Sequence, residues 1–367
     1  MNSRICIVFP DSWLAYSPTV INLANCLKES GFEVQVYWID TGGFNPGIAY
    51  AWSRRLVINS FAAKILAKLR LLNAIKVLLL FRGIKKDKQF SNIVGVDPIG
   101  YIVAKLCGAR CIWLSLEARR DFWHRLACAL GVDDLIIQSE RRGNYLFANS
   151  PRFPRMTLLP NSPRYVASSE VSKRKSPDSS GIKFIYFGNI IKVHGVEQCV
   201  EAVFEYGCGS SLTLHGPITD DYKKVLESKY RSLIGTRIFI RSDYVDQKSI
   251  VSYLARFNIG FVTYDWERSR IDFNYQTCPS GKMYNYFNAG LPVVGSDIVG
   301  LQDVARFEAG LLVNTDDKVE ILGAINAIVK DYTRYALNSK EAAKFFDFVE
   351  RFNSAVLPLF RLQHEVE

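Results

Sequence analysis

The sequence predicts an α/β protein of two doubly wound, Rossmann-like domains facing across a cleft. Three observations carry that expectation. Two separate series of short apolar strands alternate with amphipathic helices. A polar Ser/Lys/Pro-rich stretch divides them. The length of 367 residues exceeds what one hydrophobic core ordinarily serves.

The first series opens at residues 4–9 (RICIVF), an apolar run of strand length. Residues 17–30 (SPTVINLANCLKES) put Val20, Leu23, Ala24 and Leu27 on one helical face, closed by Gly31. Residues 32–39 (FEVQVYWI) form the next strand. Strand, helix, glycine, strand at this spacing is a βαβ unit, so the sheet is expected to be parallel. Further strands are expected at 92–96 (NIVGV), 110–114 (RCIWL), 135–138 (LIIQ) and 157–159 (TLL). Residues 166–181 (VASSEVSKRKSPDSSG) have no apolar period and read as a linker. The second series follows at 182–187 (IKFIYF), 211–214 (SLTL), 237–240 (RIFI), 259–263 (IGFVT), 292–294 (PVV) and 310–313 (GLLV). The expected domains are therefore 1–165 and 182–340, with 341–367 a C-terminal helix returning to the first.

Composition removes several classes. At 49% hydrophobic and 22% charged residues, the chain is not disordered. Eight cysteines without a CxxC pair, and four histidines, do not make a zinc framework or a disulfide scaffold. Reduced thiols in a cytoplasmic protein are expected. The start MNSRICIVFP already reads as a strand, so no secretory leader is expected. The most apolar region, 60–80, is broken by Lys64, Lys68, Arg70 and Lys76 and falls short of the roughly 18 apolar residues that would signal a membrane span.

Charge is one-sided. Residues 1–165 hold 22 Lys and Arg against 11 Asp and Glu, and the remainder holds 24 against 25. A basic half suggests an anionic partner such as a membrane surface, a phosphorylated lipid or nucleic acid. Residues 62–88 mix Leu and Ile with eight basic residues, but the charges do not gather on one narrow helical face. A membrane-surface segment and a buried helix followed by a solvated basic loop both remain open there. Nucleic acid is not expected, because no aromatic-basic interleaving is present.

Ligands of open α/β sheets sit at the carboxyl ends of strands, so those ends are the candidate site. After IKFIYF comes GNIIKVHG, residues 188–195. Gly188, Gly195 and Lys192 between strand and helix suit a phosphate, since glycine permits close approach and the helix start is positive. The pattern is neither GxGxxG nor GxxxxGK[ST], and a tight turn with a solvated lysine is the alternative. His215-Gly216 ends SLTL, where the His is either a ligand contact or a packed residue. Residues 241–245 (RSDYV) end RIFI, and a long polar loop follows IGFVT up to Pro279. Ser280 then reads as an N-cap with Gly281 and Lys282 in the first turn. Backbone N–H groups there have no helical partner, and Lys282 adds charge, which fits a diphosphate. A capped surface helix without a ligand is the alternative. Gly290 and Pro292 end the helix.

These segments resemble the GT-B glycosyltransferases, in particular those similar to family 4. The resemblance is carried by YFGNIIKVHGVEQCVEAV, FIRSDYVDQKSIVSYLARFNIGFVTY and CPSGKMYNYFNAGLPVVGSDIVGLQDV, and in the first half by RCIWLSLEARRDFW and DDLIIQSERRGNYLF. It implies a transferase that moves a sugar from a nucleoside-diphosphate sugar, of UDP or GDP type, to a hydroxyl of a glycan or lipid-linked acceptor in cell-surface polysaccharide synthesis. No metal and no further cofactor are implied. The first domain would bind acceptor and the second the nucleotide sugar. Donor contacts would come from Gly188, Asn189, His215, Gly216, Tyr244, Val245, Ser280, Gly281, Met283 and Asn285. Glu117, Lys192 and Lys282 would be the catalytic residues, with Ser115 and His124 on the acceptor side. The protein is expected in the cytoplasm, with the inner membrane face as its surface. Thr277 and Asn285 stand where the family usually has two glutamates, no Arg precedes Lys192 in its loop, and PDSWLAYSPT lacks the common Gly-Gly turn. A GT-B module that binds glycan or stabilises a partner without catalysis is the alternative reading.

Overall fold

The computed structural model describes residues 3–42, 50–87, 89–167, 177, 181–207 and 209–361. It divides the chain into two compact units, Met1–Pro160 with Phe348–Glu367, and Asn161–Asp347. Most of the expected linker at 166–181 lies outside the described residues.

The first unit is built on β1 (Arg4–Phe9), α1 (Pro18–Glu29), β2 (Glu33–Asp40), β3 (Ser53–Val57), α2 (Ser60–Lys68), α3 (Leu72–Lys85), β4 (Asn92–Val96), α4 (Asp97–Cys107), β5 (Arg110–Leu114), α5 (Phe122–Ala129), β6 (Asp134–Ile137), α6 (Glu140–Phe147) and β7 (Arg155–Leu158). The sheet order is β3-β2-β1-β4-β5-β6-β7, and every pairing is parallel. Its central strands are apolar throughout because helices cover both faces. One core contains Ile5, Ile7, Phe9, Val94 and Ile112, the other Cys6, Val8, Ile93, Tyr101 and Trp113. The strand β3 was not expected. It is an edge strand, SRRLV, whose Arg54 and Arg55 pair with Asp87 and Asp40, so it lacks the apolar pattern of a central strand.

The second unit runs β8 (Lys183–Phe187), α7 (Val196–Tyr206), β9 (Ser211–His215), α8 (Asp220–Lys229), β10 (Ile238–Arg241), α9 (Ile250–Leu254), β11 (Ile259–Val262), α10 (Trp266–Ile271), α11 (Phe273–Thr277), α12 (Gly281–Asn288), β12 (Val293–Ser296), α13 (Gln302–Arg306), β13 (Gly310–Val313), α14 (Lys318–Lys330) and α15 (Tyr332–Phe345). Its parallel sheet is ordered β10-β9-β8-β11-β12-β13. The polar loop expected before Pro279 is instead two short helices, α10 and α11. Asp265 caps the first by accepting the Arg268 N–H, and Asp272 caps the second by accepting the Asn274 N–H.

The chain after α15 returns to the first unit. Phe348, Phe352, Val356, Leu359 and Phe360 are buried in the core around Ile5 and Val36. The crossing falls between Asp347 and Phe348, and α15 belongs whole to the second unit.

Candidate functional site

Each sheet reverses its strand order once, between β1 and β4 in the first unit and between β8 and β11 in the second. Such a switch point opens a crevice at the carboxyl ends of the two strands. The two crevices carry different chemistry.

In the second unit, Gly188 follows β8 and Gly216 follows β9. The Gly188 N–H donates to the His215 carbonyl at 2.9 Å, and the Gly216 N–H to that of Arg241 at 2.9 Å. Gly216 has φ +152°, and a Cβ there would lie 2.1 Å from the Gly188 oxygen. No side chain fits between these strand ends, so backbone itself forms the surface.

Lys282, in the first turn of α12, crosses this surface. A Cβ on Gly188 would lie 3.0 Å from its Cδ. Its Nζ donates to the Tyr186 hydroxyl at 3.2 Å and lies 4.9 and 5.3 Å from the ring centres of Tyr186 and Tyr264. Among the described residues no carboxylate pairs with it. Burial pulls its ammonium down from the ordinary 10.5 to about 8. Tyr186 donates to the Asn189 carbonyl at 2.8 Å, and His194 Nδ1 lies 2.9 Å from both the Tyr186 hydroxyl and the Asn189 carbonyl. Burial, with Lys282 nearby, lowers His194 to about 3, so its ring is neutral and adds no second charge.

The start of α12 matches its expected place. Ser280 occupies the N-cap position, but its side chain makes no cap hydrogen bond and is 4% exposed. The helix is fixed instead by Tyr286, whose hydroxyl receives the Phe187 N–H at 2.8 Å and lies 3.2 Å from the Phe261 carbonyl. That residue and Tyr186 were not singled out in the sequence, where each reads as an ordinary core aromatic.

The remaining donor-side candidates fall differently. Lys192 is exposed, in a short turn at the rim of a polar cavity of about 240 Å³ shared with Glu197, Glu201 and Lys229. Asn189 is exposed, and Gly281, Asn285, Tyr244 and Val245 are partly buried. Met283 corrects its expectation, because its side chain is wholly buried among Ile185, Leu254 and Phe287. The sulfur faces the core because α12 must bury that side against β8 and β11. His215 is corrected in the same way. Its Nδ1 lies 2.6 Å from the Tyr253 hydroxyl and its Nε2 2.7 Å from the Asp243 carbonyl, with the ring 1% exposed. Both nitrogens are engaged, so its side chain holds the 241–245 turn rather than a ligand. Thr277 donates its hydroxyl to the Phe273 carbonyl at 2.7 Å within α11.

In the first unit, the switch point carries carboxylates. Asp11 follows β1 and pairs with the buried Lys76 at 2.8 Å. Asp97 follows β4 with φ +53°, a left-handed conformation that is strained for a residue with a Cβ. Gly95 lets the turn close, since a Cβ there would sit 2.4 Å from the Tyr101 backbone. Asp97 Oδ1 receives the N–H groups of Leu116 at 2.8 Å and Glu117 at 3.1 Å. Burial first, then the Glu117 charge, raises its carboxyl from 3.8 to about 8, so it stays largely protonated at neutral pH. The loop that it grips is held from behind. Arg142, fully buried, donates to the Leu116 carbonyl at 2.9 Å, and Ser115 Oγ donates to the Glu117 carbonyl at 3.1 Å.

Ser115 is thus a support of the loop, 1% exposed, and Glu117 is the residue that this loop presents, beside Arg119 at 3.6 Å. His124 does not join them. It is 4% exposed, with its ring packed between Trp113 and Phe147 and its Nε2 3.6 Å from Cys128 Sγ. Burial lowers its basicity. A position two residues into α5 faces the core, which the lone His in the sequence did not reveal. The signal for Asp97 was present: an Asp-Pro directly after a buried strand, with glycines on both sides.

Among the described residues no group of three or more His, Cys, Asp or Glu is arranged to hold a metal ion. No helix among them is long and apolar enough to cross a membrane.

No family model matches the chain, and no curated protein matches its sequence. Solved structures do match over nearly the whole chain. Anabaena HepE in complex with UDP-glucose is 14% identical, covering 98% of this chain and 100% of that one, with a TM-score of 0.70. The lipopolysaccharide outer core galactosyltransferase WaaB is 13% identical over 97% and 99%, with a TM-score of 0.66. A Listeria monocytogenes protein described as a putative UDP-N-acetylglucosamine 2-epimerase is 9% identical over 99% and 97%, at 0.61. Two parallel Rossmann-like sheets and these likenesses give the chain the GT-B fold.

Proposed function

We propose that the protein is a glycosyltransferase that takes its sugar from a nucleoside-diphosphate sugar, UDP-sugar first, and passes it to a hydroxyl of a glycan or lipid-linked acceptor. The observation that carries this reading is Lys282. A partly buried ammonium with no carboxylate partner among the described residues lies over a side-chain-free surface of two strand ends, at the start of a helix. A buried cation of that kind calls for an anion, and a diphosphate has the charge and the oxygens to meet the helix N–H groups as well.

In the reaction, the bond between the anomeric carbon and the diphosphate oxygen breaks as the acceptor oxygen bonds to that carbon. The acceptor hydroxyl's proton passes to the departing diphosphate, on which negative charge grows as the bond breaks. Lys282, the first-turn amides of α12 and Lys192 would stabilise that charge, with Gly188, Asn189 and Gly216 as backbone contacts. Asn285 would hydrogen-bond the ribose, and the turn at Ser242 to Val245 would border the base. Glu117 and Asp97 would meet the acceptor, and Asp97, whose carboxyl is raised by burial, would do so as a carboxylic acid. HepE, solved in complex with UDP-glucose, and the galactosyltransferase WaaB support the reading. The likeness to the protein described as a putative UDP-N-acetylglucosamine 2-epimerase makes a transfer assay the deciding test.

A thermal-shift screen of UDP, GDP, CMP and ADP sugars should show one nucleotide class raising the melting temperature. Mass-tagged transfer to candidate acceptors then reads activity, and Lys282→Ala should weaken both responses. Unchanged donor affinity in that variant would remove the diphosphate assignment. Tight nucleotide binding with neither transfer nor hydrolysis would turn the reading to a binding module.

A further inference from the structure

Between Asp40 and Asp87 the chain carries no carboxylate, while nine Lys and Arg fall in that interval. The two bounding aspartates are themselves paired, with Arg55 and Arg54. The helix α2 lies inside this stretch. Asn59 starts it by accepting the Phe61 N–H at 2.9 Å. Its inner face is anchored: Ala63 is buried, and Ala62 and Leu66 pack against the core of Tyr37, Leu80 and Ile84.

Its outer face is apolar as well. Phe61, Ile65 and Leu69 are 73%, 42% and 60% exposed. Residues four apart share one side of a helix, so these three form a stripe. Lys64 and Lys68 follow the first two by three places and border it, and Arg70 comes next. All three cations are exposed, and among the described residues none has an ion-pair partner. An aromatic ring and two aliphatic chains in water cost free energy unless something covers them. A duplex nucleic acid would answer the cations and leave the stripe in water. An anionic bilayer answers both, because apolar side chains enter the boundary between headgroups and acyl chains while lysine stems reach back to the phosphates.

We propose that α2 docks the protein on a bilayer containing anionic lipid, with Phe61, Ile65 and Leu69 entering the interface and Lys64, Lys68 and Arg70 on the headgroups. The proposal concerns this surface alone and does not rest on the transferase reading.

The test is cosedimentation of the full chain with phosphatidylcholine vesicles and with vesicles of equal parts phosphatidylcholine and phosphatidylglycerol. Binding is expected to the second and not the first. Each cation near an anionic surface strengthens binding about fivefold, so Lys64→Ala with Lys68→Ala should weaken it about twenty-five-fold. Phe61→Ser with Leu69→Ser should weaken it at least about tenfold, with an unchanged unfolding midpoint because both side chains are exposed. Phe61→Trp should add a blue-shifted emission only with anionic vesicles. Absence of binding at low salt, serine variants that bind like the parent, or displacement of the protein from vesicles by duplex DNA would each overturn the proposal.

Discussion

The two units share an architecture and differ in sign. Sequence up to residue 165 holds twice as many basic as acidic residues, yet the switch point of the first unit gathers Asp11, Asp97 and Glu117. The second half is near neutral, and its switch point presents Lys282, helix amides and bare backbone. Net charge and site charge are therefore separate properties. The first reports what a unit's outer surface attracts, and the second reports what its strand ends can hold.

That contrast can be broken in several ways, and the largest effect is expected where two strand ends leave no room for a side chain. Gly216→Ala puts a Cβ into the Gly188 oxygen, and Gly95→Ala puts one into the Tyr101 backbone. Each should cost about 3 kcal/mol or more, read by urea unfolding. A midpoint like the parent's in either variant would mean that the strand ends are less closely packed than described.

Lys282→Ala should weaken binding of a nucleoside diphosphate by about 2 kcal/mol, roughly thirtyfold, in titration calorimetry. Asp97→Asn should leave that affinity within about twofold, since amide and carboxylic acid are close in shape and both neutral. If the aspartate variant lost nucleotide affinity as the lysine variant does, the division of chemistry between the units would be wrong.

The two groups also predict opposite pH trends. Asp97 is raised from 3.8 to about 8, so the folded chain holds this proton more tightly. Its contribution to stability is complete below 3.8 and is lost as pH climbs toward about 8. Asp97→Asn should remove that slope from a series of melting temperatures. Lys282 is lowered from 10.5 to about 8, so the folded chain gives up this proton earlier. Its contribution makes the protein more stable as pH rises through that interval, while nucleotide affinity falls over the same range. Affinity that is flat from pH 7 to 10 would remove Lys282 from the anion site.

The smallest effect belongs to His124→Phe. Ring for ring in an aromatic core, it should change stability by less than about 1 kcal/mol and leave any transfer rate unaltered. A large loss of rate would return His124 to the acceptor side.

Much of the fold was legible because parallel strands buried on both faces must be apolar along their whole length. Segments such as RICIVF, IKFIYF and GLLV announce themselves for that reason. The edge strand SRRLV did not, since half its surface meets water and its arginines pair with aspartates elsewhere. Two short helices hid in a polar loop because their caps, Asp265 and Asp272, look like any turn residues. At the site, the glycines and Lys282 were visible because a strand-to-helix turn constrains them locally. Met283, His215 and His124 were misplaced, because which way a side chain faces depends on what its helix or strand packs against.

The sequence by itself determined two α/β halves, the strand ends that matter, and a helix start suited to an anion, because these follow from local periodicity and turn chemistry. Only the tertiary structure decided that Lys282 lies over Gly188 with no carboxylate partner among the described residues, that Asp97 is buried and protonated beside the loop of Glu117, and that α2 turns an apolar stripe outward. Each of these depends on residues distant in the chain being brought together, and burial and charge environment exist only once they are.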